Sequence, residues 1–265
     1  MGKHDVRTLV RQLLEYAQEE LAAELRSDIL ARGSEAVEPL LELVREGEEL
    51  VAVHAVELLT ELKAPEALAT LVERLRLTEP GEMLHDALLF GLEEWGAEVA
   101  PVALEVLTRT QDADQRLGVL SVLARSGSRD ERVLPALLAQ LQEAPVQGAL
   151  NLARYGDPRA IEPLKQALEA YPFEEEAEDL FANQAVVEMD LAIEDLGGSL
   201  EGAQRGKAER ARNCLLRLGA LFRVLLDDLH ARPAVREAPA DRNAPCWCGS
   251  GQKYLRCHLG RDGGR

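Results

Sequence analysis

Apolar side chains recur every three to four positions along most of this 265-residue chain, which is the periodicity of an amphipathic α-helix. The stretch 48–63 carries an apolar stripe at Val51, His54, Ala55, Leu58, Leu59 and Leu62. The stretch 82–96 carries one at Leu84, His85, Leu88, Leu89, Leu92 and Trp95. Two more stretches, 113–126 and 144–155, lie at matching places, so the pattern predicts four helices here.

These helices alternate with five segments that resemble one another: "EAVEPLLELV" (35–44), "PEALATLVERL" (65–75), "AEVAPVALEVL" (97–107), "ERVLPALLAQL" (131–141) and "RAIEPLKQAL" (159–168). Their anchor positions are separated by 31, 31, 34 and 28 residues and are Pro39, Thr70, Pro101, Pro135 and Pro163. Proline is tolerated in the first turn of a helix, where its missing N–H leaves no bond unmade. A helix pair of about 31 residues cannot bury its apolar face alone. The repeat therefore predicts an all-α fold, an α–α superhelical solenoid of stacked helix pairs.

The repeated segments resemble HEAT repeats, in particular the short bacterial HEAT-like kind with the pattern D-P-x-A-I-x-P-L. This resemblance covers residues 34–171 and includes the turn "YGDPRA" at 155–160. It implies an interaction scaffold, since most such solenoids bind other proteins. A minority of the family recognise DNA or act as lyases.

The two ends of the chain differ from the repeats. Residues 4–32 predict one long helix that ends at Gly33, and 174–196 and 203–230 predict two further long helices, the first opening with the acidic run "EEEAED". A proline-rich stretch without periodicity follows and predicts a flexible linker. The predicted segments are an N-terminal capping helix (1–33), HEAT-like repeats (34–171), a C-terminal helical cap (172–230), a linker (231–243) and a short cysteine-containing module (244–262).

Composition and charge narrow the classes of partner. Aromatic residues make up only 4% of the chain, which agrees with helices packed through aliphatic side chains. The formal charge is −17, but residues 231–265 hold seven Arg or Lys against three acids, net +4, which leaves −21 for residues 1–230. An acidic body repels phosphate backbones, so nucleic-acid binding is disfavoured except through the basic tail. No apolar run reaches about 18 residues and the first residues are not a secretory signal, so a cytoplasmic protein without a transmembrane segment is expected.

Three of the four cysteines and one histidine cluster within thirteen residues at the end of the chain: Cys246, Cys248, Cys257 and His258. Three thiolates and one imidazole make a known ligand set for a closed, four-coordinate zinc site, which leaves no open position for catalysis. So short a module would depend on the metal for its folding free energy. A chance cluster or a redox trio is the alternative, and an iron–sulfur site is disfavoured by the spacing.

The stretch "RNAPCWCGSGQKYLRCHLG" (242–260) closely resembles the SEC-C zinc-binding motif. The residues that match are Arg242, Asn243, Pro245, Cys246, Cys248, Gly249, Ser250, Gly251, Lys253, Tyr254, Cys257 and His258. The resemblance implies that the three cysteines and His258 bind one structural Zn²⁺. At the C-terminus of the translocation ATPase SecA, this motif contacts the chaperone SecB and has been linked to ribosome and lipid contacts. A partner surface is therefore expected at Arg242, Trp247, Lys253, Tyr254 and Arg256.

Three polar residues, His54, His85 and Arg116, lie 31 residues apart at one place in successive second helices. Stacking could align them as a polar ladder for an anion or an acidic peptide, but a histidine in an apolar stripe is usually a half-buried structural residue. Trp95 and Cys214 are expected to pack inside the protein.

The sequence thus predicts a binding protein rather than an enzyme. A HEAT-like solenoid and a zinc knuckle on one chain would dock together on a protein partner, such as a SecB-like chaperone, the secretion machinery or the ribosome. The alternative is a HEAT-like nucleic-acid-binding or enzyme-accessory protein that uses its concave face. The acidic body argues against this alternative.

Overall fold

The computed structural model describes residues 5–16, 20–174, 181, 183–231 and 253, with residues 218–231 described as backbone only. Residues 1–215 cluster as one compact unit and 216–265 as a second, and this division falls inside the last helix. Up to residue 231, the described chain consists of helices joined by short turns. None of these helices has the length and apolarity that crossing a bilayer requires.

Within the described residues, ten helices form five consecutive pairs, each first helix packing on the second helix that follows it. The pairs are α3 (Val37–Glu46) with α4 (Glu49–Leu62), α5 (Leu68–Leu77) with α6 (Met83–Glu93), α7 (Ala100–Arg109) with α8 (Ala113–Arg125), α9 (Val133–Glu143) with α10 (Pro145–Tyr155), and α11 (Ile161–Ala170) with α12 (Gln184–Asp195). They are preceded by α1 (Val6–Arg11) and α2 (Ala23–Leu30) and followed by α13 (Gly202–Ala231). This arrangement confirms the predicted all-α class and the HEAT-like solenoid.

The pairs stack because second helices pack on second helices and first helices on first helices. α4, α6, α8, α10 and α12 each contact the next in that order, and α3 contacts α5, which contacts α7. In α4, only Glu57 and Glu61 face solvent fully between Val51 and Glu61, because α2, α3 and α6 cover its other sides. The core shared between repeats is aliphatic and includes Leu40, Leu58, Leu59, Leu71, Leu75, Leu84, Leu88, Leu92 and Leu120.

The prolines of the repeat lie where the sequence predicts them, in the first turn of a helix. Pro101 is the second residue of α7, and Pro39, Pro135 and Pro163 are third in α3, α9 and α11. Short 3-10 turns lead into most first helices; for example, Pro65–Ala67 precedes α5. The repeat boundaries therefore follow from the sequence to within about three residues.

The N-terminal segment does not form the single helix predicted for residues 4–32. Instead, α1 ends at Arg11, a 3-10 turn follows at Gln12–Tyr16, and residues 20–22 are not helical before α2 begins at Ala23. A straight helix of 29 residues would extend over ~43 Å, far beyond the end of one repeat. The broken segment folds back so that α1 packs on α3 and α2 packs on α4. Leu13 and Ile29 are fully buried as a result.

The helix predicted for residues 174–196 begins ten residues later, as α12 at Gln184. Just before α12, the side chain of Asn183 bonds back to Glu174: its Nδ2 donates to the carbonyl of Glu174 at 2.7 Å and its Oδ1 accepts from the Glu174 N–H at 3.1 Å. Most of the acidic run "EEEAED" (174–179) lies outside the described residues. α12 itself packs on α10 and α11 and so occupies a second-helix position.

The helix predicted for 203–230 is observed as α13, and a lysine fastens its first part to the last pair. Nζ of Lys207 donates to the backbone carbonyls of Leu168 at 2.8 Å, of Glu169 at 3.0 Å and of Tyr171. These are carbonyls at the end of α11, where the helix has no internal donors left. Burial lowers the pKa of Lys207, yet the lysine supplies the charge that the negative end of a helix favours.

Replacing Lys207 with methionine is expected to lower the free energy of unfolding by about 1 kcal/mol, because three carbonyls at the end of α11 lose their donor while the aliphatic stem remains. Urea unfolding followed by circular dichroism measures this change. Lys165→Met is the matched control, since Nζ of Lys165 reaches only Glu162, one turn away, at 3.1 Å. An equal loss in both variants would contradict the proposed role of Lys207.

Candidate partner groove and metal-binding motif

A groove runs across three adjacent second helices, α6, α8 and α10, on the side that faces solvent. It has a volume of about 450 Å³. The groove is lined by Pro80, His85, Leu89, Leu117, Gly118, Ser121, Arg125, Gln147, Leu150, Asn151 and Arg154. It is called the second-helix groove below.

Large apolar side chains are exposed in and beside this groove. Leu150 lines the groove and is 44% exposed, while Phe90, on the solvent face of α6, is 58% exposed. The guanidinium of Arg125 lies 5.9 Å from the centre of the Phe90 ring, which places Phe90 at the edge of the groove. Exposed apolar groups beside polar ones are typical of surfaces that bind other proteins.

The floor of the groove is a set of hydrogen-bonded amides. Nδ2 of Asn151 donates to Oε1 of Gln140 at 2.9 Å and lies 3.4 Å from Oγ of Ser121. Nε2 of Gln147 in turn lies 3.4 Å from Oδ1 of Asn151. Asn151 and Gln140 are almost fully buried, so these bonds fix the amides that the groove presents.

One carboxylate holds two arginines at the end of the groove. Glu93 accepts from Arg125 at 2.9 Å and from Arg154 at 2.7 Å, and so ties α6 to α8 and α10. Burial alone would raise the pKa of Glu93, but the hydrogen bonds from Arg154 and Arg125 outweigh it and hold the pKa below its usual value. Glu93 therefore remains ionised near neutral pH, and this end of the groove carries one net positive charge.

The residues proposed as a polar ladder do not form a common binding surface. His54 and His85 are buried, at 6% and 8% exposure. Arg116 donates to the backbone carbonyls of Leu107 and Thr110 at 3.4 and 3.2 Å, where it supports the end of α7. These placements favour the structural interpretation of the three residues. Trp95 and Cys214 are buried, as expected.

The predicted metal ligands and most of the predicted partner surface lie outside the described residues. These positions are Cys246, Cys248, Cys257, His258, Arg242, Trp247, Tyr254 and Arg256. Lys253 is described and is exposed. In the part of the chain that the structure describes, no group of three or more His, Cys, Asp or Glu side chains could hold a metal ion. The zinc site therefore stays a prediction from the sequence.

The helix pairs define a HEAT-like repeat protein, and the comparisons with known families place the two motifs on the chain. Residues 146–170 match the family model of the PBS lyase HEAT-like repeat, which covers α10 except its first residue and the whole of α11. Residues 242–260 match the SEC-C motif. No curated protein matches the chain. The suspected combination of HEAT-like repeats and a C-terminal SEC-C motif is thereby confirmed, and the motif brings with it a potential for binding metal.

Sequence reasoning missed the second-helix groove. Phe90 and Leu150 are apolar residues out of phase with the buried stripe of their helices, and such misplaced residues were the available signal. The link from Glu93 to Arg125 and Arg154 spans 32 and 61 residues, so it carried no local signal at all.

Proposed function

We propose that this protein is a metal-binding scaffold, or adaptor, for protein–protein interaction. The solenoid binds a protein partner through the second-helix groove, and the zinc knuckle at the C-terminus docks on the same partner assembly. The observation that carries the proposal is the exposure of Phe90 and Leu150 beside fixed amides and a paired arginine cluster. Two modest binding surfaces on one chain raise the overall affinity through effective concentration.

The donor set of the C-terminal motif fits a structural zinc ion. Cys246, Cys248, Cys257 and His258 supply three thiolates and an imidazole, which complete a tetrahedral shell and leave no position for a substrate. The ion would give the module the folding free energy that its few apolar residues cannot supply. The basic and aromatic residues of the motif, among them Arg242 and Tyr254, would then contact the partner. By the SEC-C resemblance, the partner is a SecB-like chaperone, a secretion component or the ribosome, met in the cytoplasm.

We expect the purified, untagged full chain to contain one zinc ion per molecule, measured by elemental analysis. Cys248→Ser removes one of the four zinc ligands. The three that remain should hold zinc far more weakly, so stoichiometric zinc binding should be abolished. Cys214→Ala is the matched control, because Cys214 lies in α13, outside the motif. Full-length protein without metal, or equal metal loss in the control, would remove the zinc knuckle from the proposal.

Partner binding is tested by capture of partners on the full chain, on a chain ending at residue 239, and on the Phe90→Glu and Leu150→Glu variants. Each change should weaken capture of the same partner by about tenfold, because a buried charge at an interface centre is costly. Leu14→Glu is the matched control, since Leu14 is equally exposed, at 53%, but lies in the N-terminal 3-10 turn. Unchanged capture by the chain that lacks residues 240–265 would rule out partner binding by the zinc knuckle. Unchanged capture by both Phe90→Glu and Leu150→Glu would rule out partner binding by the second-helix groove.

The second candidate function, a nucleic-acid-binding or enzyme-accessory solenoid, makes an opposite prediction. It requires tight, salt-sensitive binding of nucleic acid by the body of the chain at low salt. The charge of −21 on residues 1–230 opposes such binding. Binding retained after removal of the basic tail would favour this alternative over the scaffold.

A further inference from the structure

A second cleft lies on the opposite layer of the stack, among the first helices α3, α5 and α7. It has a volume of about 570 Å³. Its lining residues are Arg45, Ala69, Thr70, Glu73, Arg74, Leu77 and Arg109. This basic cleft takes three arginines from three different helices and only one acid.

Two of the arginines are oriented by side-chain hydrogen bonds at the rim of the basic cleft. Arg45 donates from Nη1 to Glu38 at 2.9 Å and from Nη2 to Oγ1 of Thr70 at 3.3 Å. Arg109 donates from Nη2 to Oε2 of Glu73 at 3.2 Å. Both side chains remain about half exposed, so most of their five N–H groups are available to a ligand.

Glu73 neutralises the cleft only in part. Its other oxygen accepts from Arg76, which lies outside the lining, and this hydrogen bond holds the pKa of Glu73 below its usual value. One carboxylate is therefore divided between Arg76 and Arg109. The lining itself carries three positive charges and one negative charge.

Arg74 supplies the surplus charge. Among the described residues, its side chain has neither an ion pair nor a hydrogen-bond partner, and its Nε is buried without one. An unpartnered buried guanidinium N–H costs free energy, which a bound anion would recover. Thr70 lies one turn before Arg74 on the same face of α5, so a hydroxyl and a guanidinium face the cleft together.

The geometry points to a ligand of one chemistry. Arginine forks match the oxygens of a tetrahedral oxyanion, and a hydroxyl adds a further donor. Arg45 and Arg109 lie in the last turns of α3 and α7, where a positive charge interacts favourably with the helix dipole. This explains an arginine at each helix end, but it does not explain why both arginines border one cleft with Arg74. Residues 1–230 carry a net charge of −21, so their composition alone would not lead us to expect a basic cleft.

We propose that the basic cleft of Arg45, Thr70, Arg74 and Arg109 binds a phosphate group, either as free phosphate or on a phosphorylated side chain of a partner. The site is on the first helices, whereas the proposed partner groove is on the second helices. The proposal therefore does not depend on the scaffold function, and either can fail alone.

The test is calorimetric titration of the full chain with inorganic phosphate and, separately, with a short phosphoserine peptide and its unphosphorylated form. Arg74→Met keeps the aliphatic stem and should weaken phosphate binding at least about tenfold, because hydrogen bonds to a charged group are lost. Arg109→Gln, at a more exposed position, should weaken it as well. Arg7→Gln is the control, since Arg7 is exposed on α1 and pairs with Glu42 at 3.4 Å.

Tighter binding of the phosphopeptide than of inorganic phosphate would identify a phosphorylated partner as the source. Equal binding of the two would identify free phosphate. Absence of phosphate binding at low salt would overturn the proposal. So would wild-type affinity in both Arg74→Met and Arg109→Gln, or an equal loss in Arg7→Gln. Thermal melting of each variant confirms that the fold is retained.

Discussion

Replacing Gly148 with alanine should destabilise the protein by ~3 kcal/mol, because no space exists for even one methyl group. A Cβ at this position would collide with Cα of Leu141, and it would lie 2.6 Å from N of Leu141 and 3.0 Å from the carbonyl carbon of Gln140. All three atoms belong to the backbone of α9, so no side chain can rotate away. Only Ala144 separates α9 from α10, and this one-residue connection brings the two helices together.

The matched substitution, Gly206→Ala, should have the opposite sign. Gly206 also lies inside a helix, but the nearest atom to its added Cβ is Nη1 of the flexible Arg210 side chain at 3.5 Å. Alanine should therefore stabilise α13 by about 0.5–1 kcal/mol through the lower entropy of the unfolded chain. Urea unfolding at 25 °C measures both. A Gly148 variant as stable as the wild type would contradict the close packing of α9 and α10.

The sequence was sufficient to predict the repeats because each helix carries its own local signals. The stretch 113–126 predicts α8, observed at Ala113–Arg125, and 48–63 predicts α4, observed at Glu49–Leu62. Apolar spacing defines the buried face of each helix, and proline marks the start of four of the five first helices. These signals depend on neighbouring residues alone, so they survive without knowledge of the tertiary structure.

The prediction of a single helix over residues 4–32 was wrong for the opposite reason: tertiary packing, and not local sequence, decided this segment. Residues 4–32 contain neither proline nor glycine, and their apolar positions keep one helical phase from Val6 to Leu25. The helix is nevertheless interrupted between α1 and α2. The reason is that α1 packs on α3 and α2 packs on α4, so the end of the stack offers two short packing surfaces instead of one long surface. Exposure of Leu14, which the continuous helix would have buried, shows that packing and not periodicity decided this segment.

Of the candidate sites, too, one could be predicted from local sequence and another could not. The metal ligands lie within thirteen residues of one another, so their spacing was enough to predict a zinc site. The basic cleft joins Arg45, Arg74 and Arg109, which are far apart in sequence and meet only through the stacking of α3, α5 and α7. Such convergence depends on the register between repeats, which a single sequence does not reveal.

Two successive turns between repeats contain the same aspartate–arginine clasp, but they differ in burial. In the turn before α11, Asp157 accepts the N–H of Arg159 at 2.9 Å and the Nη2 of the same residue at 2.7 Å. In the turn before α9, Asp130 accepts the equivalent groups of Arg132 at the same two distances. Asp157 is 7% exposed, whereas Asp130 is much more open to solvent.

Asp157→Ala should therefore lower the free energy of unfolding by ~2 kcal/mol at neutral pH, since it removes a cap whose side chain is buried and leaves the part-buried N–H of Arg159 without its acceptor. Asp130→Ala, the control with the same clasp, should cost less because water can replace its bonds.

The deficit caused by Asp157→Ala should also depend on pH. Hydrogen bonds from the Arg159 side chain and backbone outweigh burial and hold the pKa of Asp157 below its usual value. A carboxyl whose pKa is lower in the folded state stabilises the protein above its unfolded pKa of about 3.9 and loses that contribution as the pH falls through the folded pKa. Thermal melts of the wild type and the variant should thus converge in acid. A constant difference down to the folded pKa would mean that the clasp acts without its charge, through the loss of packing alone.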